Sequence, residues 1–414
     1  MRVLVFTALY PNNIWPQHGV FVKERVVNSA AFERCEIKVV APVPYFPAIK
    51  INQRWRYSQV ARQEIRDGLE VYHPRYFMIP KVGMALHGWL MFLSLLPALR
   101  GIRKSFDFDI IDAHYLYPDS FVAVLMGRYF KKPVVVSARG SDINQFKDFP
   151  LIRRLLRYTL CRAQGVIAVS AALKQAITQL GFPEERIRVI PNGVDLKKFY
   201  PTPKSEARGT LGFARGRVIL SVGHLAPVKG FDLLIKAVKI LVDDLNEKDL
   251  TLIIAGGGAY RKELERLVSS LGLGDNVLFP GEIAHQDLRL WYSAADVFCL
   301  ASLREGWPNV LLESLACGTP VVATAVGGVP EIVCSSEVGL LAERNERKIA
   351  EKISQALRQS WDSDSLVRHA QQHTWHRAAA SVHNLFAAIL NGSGSAAYNQ
   401  KAHSPTPVRT GSHG

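Results

Sequence analysis

The chain has 414 residues, with 51 Lys and Arg against 36 Asp and Glu, a formal net charge of +15 and 48% apolar residues. That length allows two or three domains with large buried cores, and that apolar content excludes a mainly disordered chain. Five scattered cysteines (Cys35, Cys161, Cys299, Cys317 and Cys334) form no C-x-x-C pair, which argues against a disulfide framework or a structural zinc site and points to a reducing, cytoplasmic setting.

In chain order, the first element is a buried-strand pattern, Val3–Thr7, with no cleavage site after it. Gly19 follows that strand in the run Gln17–Phe21, as a turn or as a place where backbone approaches a ligand. Ile37–Ala41 is the next strand. Met84–Leu99 is the most apolar later stretch; near 16 residues long and holding His87 and Pro97, it reads as a core or interfacial helix, short of the roughly 20 residues of a membrane span. Strands Ile110–Ala113, Pro133–Ser137 and Gly165–Val169 follow, separated by amphipathic stretches such as Leu151–Ala163 and Ala171–Leu180. His114 stands at one strand end, where a base would sit, although a lone strand-end histidine is more often structural. Arg139 and Asp142 follow the next strand and could line the same cleft.

Asn192-Gly193 and the prolines at 191, 201 and 203 are turn and linker chemistry, so a first domain over residues 1–190 ends there. A second series begins with Val218–Val222 and continues through Thr251–Ala255, Asn276–Phe279, Val297–Leu300 and Pro320–Ala323. It makes a second domain over 191–373. A helix over 374–390 could pack on either domain. The tail 391–414, rich in Gly, Ser and Ala, reads as disordered. Continuous apolar strands separated by helices predict parallel sheets covered on both faces, and two such series predict two doubly wound domains. Ligands of such sheets bind beyond the carboxyl ends of the strands, so a cleft between the domains is the expected site.

The motifs fall in loops after strands. Glu305 and Glu313 flank EGWPNVLLE; their spacing is roughly 12 Å if helical, wide for an acid–base pair but suited to gripping two hydroxyl-bearing parts of a long ligand. Lys229 ends the loop Ser221–Gly230, just before a helix start, where it reads as a phosphate contact or as an exposed turn lysine. The glycines of Ile253–Ala259 lack the G-x-G-x-x-G spacing and give no nicotinamide fingerprint. No Asp-x-Asp metal motif stands at a strand end of the second half.

Taken together, Gly19, His114, Arg139–Asp142 (RGSD), PNGVDLKKF (191–199), GHLAPVKG (223–230), EGWPNVLLE (305–313), ACGTPVVAT (316–324) and GGVPE (327–331) resemble the retaining glycosyltransferases of family 4, from residue 1 to about 390. The resemblance implies the GT-B fold and a nucleotide-diphosphate-sugar donor held by the second domain, with no cofactor or metal. By position, Glu313 would accept from ribose hydroxyls and Glu305 from hydroxyls of the transferred sugar. Lys229 would bind the diphosphate under the Gly19 backbone, and His114 would lie beside the reacting sugar. Ile283 backbone would lie near the base, and Asn309 and Val310 would offer N–H groups to phosphate. Two positions depart from the pattern. His224 stands where the family often has an arginine, and Arg139 where many relatives carry histidine. A histidine near pH 7 is largely neutral, so either His224 is protonated when donor binds, or Arg139 or Arg304 supplies the second cation, or phosphate binding is weaker.

The charge excess is one-sided. Residues 1–190 hold 27 basic and 14 acidic side chains, and residues 191–414 hold 24 and 22. Nucleic acid, an anionic membrane or an anionic substrate would each account for it, as would a plain solvated face. No nucleic-acid reading module is recognisable. The resemblance favours a glycan or lipid-linked acceptor, with Ile49–Tyr57, Arg62, Arg66 and Met84–Leu99 as a membrane-docking surface and a peripheral position on the cytoplasmic face. The expected activity is hexosyl transfer in cell-surface polysaccharide or glycolipid synthesis. The alternative is a nucleotide-sugar epimerase or a noncatalytic nucleotide-sugar binder.

Overall fold

The computed structural model describes residues 1–392 except 33, 51–52, 79–82, 147–148, 213–215, 246 and 248. The tail expected to be disordered therefore lies, from residue 393, outside the described residues, as do two positions of the Ile49–Tyr57 segment.

The first half carries ten strands: β1 (Arg2–Phe6), β2 (Glu36–Val40), β3 (Val43–Pro44), β4 (Gln63–Arg66), β5 (Leu69–Tyr72), β6 (Arg75–Tyr76), β7 (Ile110–His114), β8 (Val134–Ala138), β9 (Gly165–Ala168) and β10 (Ile187–Val189). Eight of them form one sheet in the order β10-β9-β8-β7-β1-β2-β5-β4, parallel except for the β4–β5 hairpin. β7 and β8 are buried at every residue, as the unbroken apolar runs require of strands covered on both faces. The second half gives β11 (Arg217–Val222), β12 (Leu250–Ala255), β13 (Val277–Gly281), β14 (Val297–Leu300), β15 (Val321–Thr324) and β16 (Gly339–Ala342), all parallel, in the order β13-β12-β11-β14-β15-β16. Both sheets are doubly wound, as the sequence predicts.

Strand order fixes where ligands can bind. The first sheet reverses direction between β1 and β7, the second between β11 and β14. At such a switch point the flanking loops diverge and leave a crevice beyond the strand ends. The loops after β11 and β14 are the Gly223–Gly230 and Ala301–Pro308 segments, which carry Lys229 and Glu305.

The helix Trp375–Leu390 returns to the first sheet. Trp375, Ala378, Val382, Leu385 and Phe386 join Val3, Val5, Val22 and Val26 in one buried cluster. The chain thus crosses between the sheets twice, and the crossings lie side by side: Val194 N–H donates to the His373 carbonyl at 2.9 Å, and Val194 bridges Thr374.

One expectation is corrected. The Met84 helix runs to Ser105, 22 residues, so by length and apolar composition it could cross a membrane. Its charged last turn, with Arg103 and Lys104, continues the helix beyond the apolar run. One face of it (Gly88, Met91, Leu95, Leu99, Ile102) is buried in the core of the first domain.

Candidate active site

A cavity of about 540 Å³ lies between the two domains, at the strand ends of both sheets. Of the residues singled out in the sequence, Arg139, His224, Lys229, Glu305, Asn309, Val310 and Glu313 line it; Gly19, His114, Asp142 and Ile283 do not.

On the second-domain side, Lys229 ends a short 3-10 turn, Pro227–Lys229, and its Nζ donates to Glu305 Oε1 at 2.7 Å. The same oxygen accepts from Ser302 Oγ at 2.7 Å. The carboxylate expected to grip a sugar and the ammonium expected to grip phosphate are therefore one ion pair. The helix Asn309–Ala316 begins at the cavity wall behind Pro308 and no side chain caps it; the Leu311 N–H donates to the Pro308 carbonyl, which leaves the Asn309 and Val310 N–H groups at the cavity for a ligand. One turn further, Glu313 is buried. Its Oε1 pairs with His285 Nε2 at 3.0 Å and its Oε2 accepts from Tyr292 at 3.0 Å. Each carboxylate oxygen can accept twice, so Glu313 keeps capacity for a ligand hydroxyl. Burial works against a charged His285, but the Glu313 carboxylate outweighs it and the imidazole pKa is raised.

On the first-domain side the geometry departs from expectation. His114 is fully buried at the end of β7, behind Arg139. Arg139 Nη2 donates to His114 Nδ1. Arginine has no acceptor, so Nδ1 is unprotonated and the ring proton sits on Nε2, 3.3 Å from Asp112 Oδ2. Burial holds the His114 pKa down, to about 3; the Arg139 and Arg25 charges push the same way, against Asp112. His114 is thus a neutral support for Arg139 rather than a group touching the cavity. Arg25 pairs with Asp112 through two contacts of 3.2 Å and donates to Ser137 Oγ.

Asp142 is also corrected. It is fully buried, and its carboxylate accepts from the backbone N–H groups of Leu116, Arg139, Gly140 and Ile143, so it shapes the loop that presents Arg139. Gly19 serves packing: at φ +69° it opens the helix Val20–Ala30, and a Cβ there would fall 2.4 Å from the Leu9 carbonyl. Ile283 packs half-buried against the hydrophobic core, and His285, two residues on, reaches the cavity instead.

The sequence reading missed Glu24, Asn192, Lys198 and His285. Glu24 is buried inside a helix and accepts from Lys198 Nζ at 2.7 Å. Asn192 and Lys198 lie within the PNGVDLKKF run, which carries turn chemistry and part of the family resemblance but assigns neither residue a role of its own. Asn192 accepts from Arg139 Nη1 at 2.8 Å and donates to Asn309 Oδ1 at 3.2 Å, so it bridges the two domains. The domains also touch directly: Gly140 lies against Gly306, where a Cβ would fall 2.2 Å from the Arg139 carbonyl oxygen.

Known proteins resemble this chain in both halves. Residues 54–198 match the family model described as Glycosyltransferase Family 4, and residues 204–373 match Glycosyl transferases group 1. A GDP-mannose-dependent alpha-(1-6)-phosphatidylinositol monomannoside mannosyltransferase of Mycolicibacterium smegmatis is 30% identical over 284 residues, 66% of this chain and 70% of its own. A Bacillus subtilis glycosyltransferase named for teichuronic acid biosynthesis is 27% identical over 363 residues, 86% of this chain and 88% of its own. Among solved structures, Anabaena HepE in complex with UDP superposes with a TM-score of 0.71 at 21% identity, covering 94% of this chain and 100% of that one; at that identity the likeness concerns the fold.

Proposed function

Because the chain belongs to the family 4 glycosyltransferases of GT-B fold, we propose that it moves a hexosyl group from a nucleotide-diphosphate sugar to a glycan or lipid-linked acceptor, with retention of anomeric configuration and without a metal. The observation that carries this reading is the convergence of Lys229, Glu305, Glu313 and an uncapped helix start on one interdomain cavity, at the second sheet's switch point.

In this reading Glu313 accepts from the ribose and Glu305 from the transferred sugar. The bond between the anomeric carbon and the diphosphate oxygen breaks, and its electron pair leaves with the diphosphate. The acceptor oxygen bonds to the anomeric carbon from the same face, and its proton passes to the leaving phosphate. Charge grows on that phosphate as the bond breaks, so Lys229 and the Asn309–Ala316 helix start stabilise the transition state more than the ground state. Family membership favours transfer over the epimerase alternative. That HepE is solved with UDP and with UDP-glucose supports a nucleotide-sugar donor here.

The acceptor side is proposed to sit on an anionic membrane, at its cytoplasmic face. Two features support this. Met84, Leu86, Trp89 and Leu93 are exposed along the outer face of the Met84–Ser105 helix. The neighbouring helix, Pro150–Arg162, exposes Arg153, Arg154 and Arg157. Each such cation contributes about 1 kcal/mol near an anionic leaflet. Arg66, counted in the sequence as part of this surface, instead pairs with Glu64 at 3.1 Å.

The deciding experiment is a thermal-shift and turnover screen of UDP-, GDP- and ADP-sugars, with and without EDTA. One donor class should stabilise the protein, and chelation should leave the rate unchanged. A strict metal requirement, or no response to any nucleotide sugar, would sink the scheme.

A further inference from the structure

Resting on the donor reading above, we propose that Arg139, contributed by the first domain, is the second cation on the donor's diphosphate, in place of the arginine that position 224 lacks. Arg139 is 8% exposed and lines the cavity. Its guanidinium forms no ion pair among the described residues. Nη1 is spent on the neutral Asn192 amide and Nη2 on the neutral His114 ring, while Nε is buried with no partner. The two acids nearby are engaged elsewhere: Asp112 on Arg25, Asp142 on backbone N–H groups. A buried guanidinium without a carboxylate partner is costly, and an anion supplied by a ligand removes that cost.

The position identifies which anion. From Arg139, one residue, Asn192, leads to Asn309 at the uncapped start of the Asn309–Ala316 helix, where a phosphate would lie. On the second-domain side, Lys229 is already paired with Glu305, and His224 is exposed and lacks the guanidinium fork of an arginine. Arginine suits the task because its planar fork matches two phosphate oxygens and its charge does not titrate at working pH. The arrangement also couples donor binding to the domain contact, because the Arg139–Gly140 backbone is what touches Gly306.

The test is calorimetric titration of UDP, GDP and ADP, and of uridine, guanosine and adenosine, into the wild type, Arg139→Gln and Arg139→Lys, each checked for folding by thermal melting. For the diphosphate that the wild type binds, Arg139→Gln should weaken binding at least tenfold and flatten its salt dependence. Affinity for the matching nucleoside should not change. Arg139→Lys should recover part of the loss, and it reports on the role even if the glutamine variant melts early. Equal diphosphate affinity in a folded Arg139→Gln protein overturns the assignment while leaving the donor reading intact. A wild type that binds none of the three diphosphates overturns both.

Discussion

Lys229 and Glu305 illustrate how far single residues can be read. Sequence position suggests a cation for phosphate and an acceptor for sugar; the 2.7 Å contact makes each the other's partner until a donor arrives. Lys229→Ala should cut transfer by about a hundredfold or more while the fold persists, the scale seen when one preorganised charge is removed from a transition state. Near-normal turnover in folded protein would remove the phosphate role. His114 makes a different prediction. Its pKa is held near 3, well below the ordinary 6.5. Between those values the unfolded chain binds the proton and the folded one does not, so this group makes stability fall as pH falls from about 6.5 towards 3. His114→Gln should flatten that part of the stability–pH curve, measured by denaturant melts. An unchanged slope would show that the ring protonates in the fold. Gly19 and Asp142, read in the sequence as ligand contacts, lie outside the cavity lining and hold loops in shape.

At the scale of elements, most strands were legible because buried parallel strands are unbroken apolar runs. The β4–β5 hairpin was missed although its signal is present: Asp67-Gly68, at φ +49° and +79°, joins two alternating runs, QEIR and LEVY. β10 was missed because three residues are too few for periodicity to be judged, and β16 because its four residues open on Gly339, which breaks the apolar run. The Met84–Ser105 helix was found but cut short at its charged end. Its two faces argue for opposite environments, one buried in the core and one exposing Leu86, Trp89 and Leu93. Replacing those three with serine should leave the core packed and weaken binding to anionic vesicles at least tenfold in co-sedimentation, since each large apolar side chain gives about 1.5–3 kcal/mol when buried. Binding that ignores the substitutions, salt and lipid charge would rule out this surface.

For the whole molecule, the decisive contact is between domains. Gly306→Ala would drive a methyl group into the Arg139 carbonyl, at 2.2 Å. The expected result is an opened cleft, read as a larger radius of gyration in solution scattering together with slower transfer; an unchanged radius and rate would mean that the domains do not need this approach. Glu331 makes a second bridge, accepting the N–H groups of Ala171 and Ala172 at the start of a first-domain helix. The charge asymmetry, +13 of the +15 in residues 1–190, now belongs to the half that carries the exposed apolar helix face. By itself the sequence determined the two doubly wound domains and the second-domain motif set, because period, turn chemistry and loop position are local properties. Only the tertiary structure decided that His114 is screened, that Lys229 pairs with Glu305, and that Arg139, Asn192 and Asn309 form one chain across the cleft. Those relations join residues 25 to 117 positions apart, and burial and pairing at such separations arise from packing.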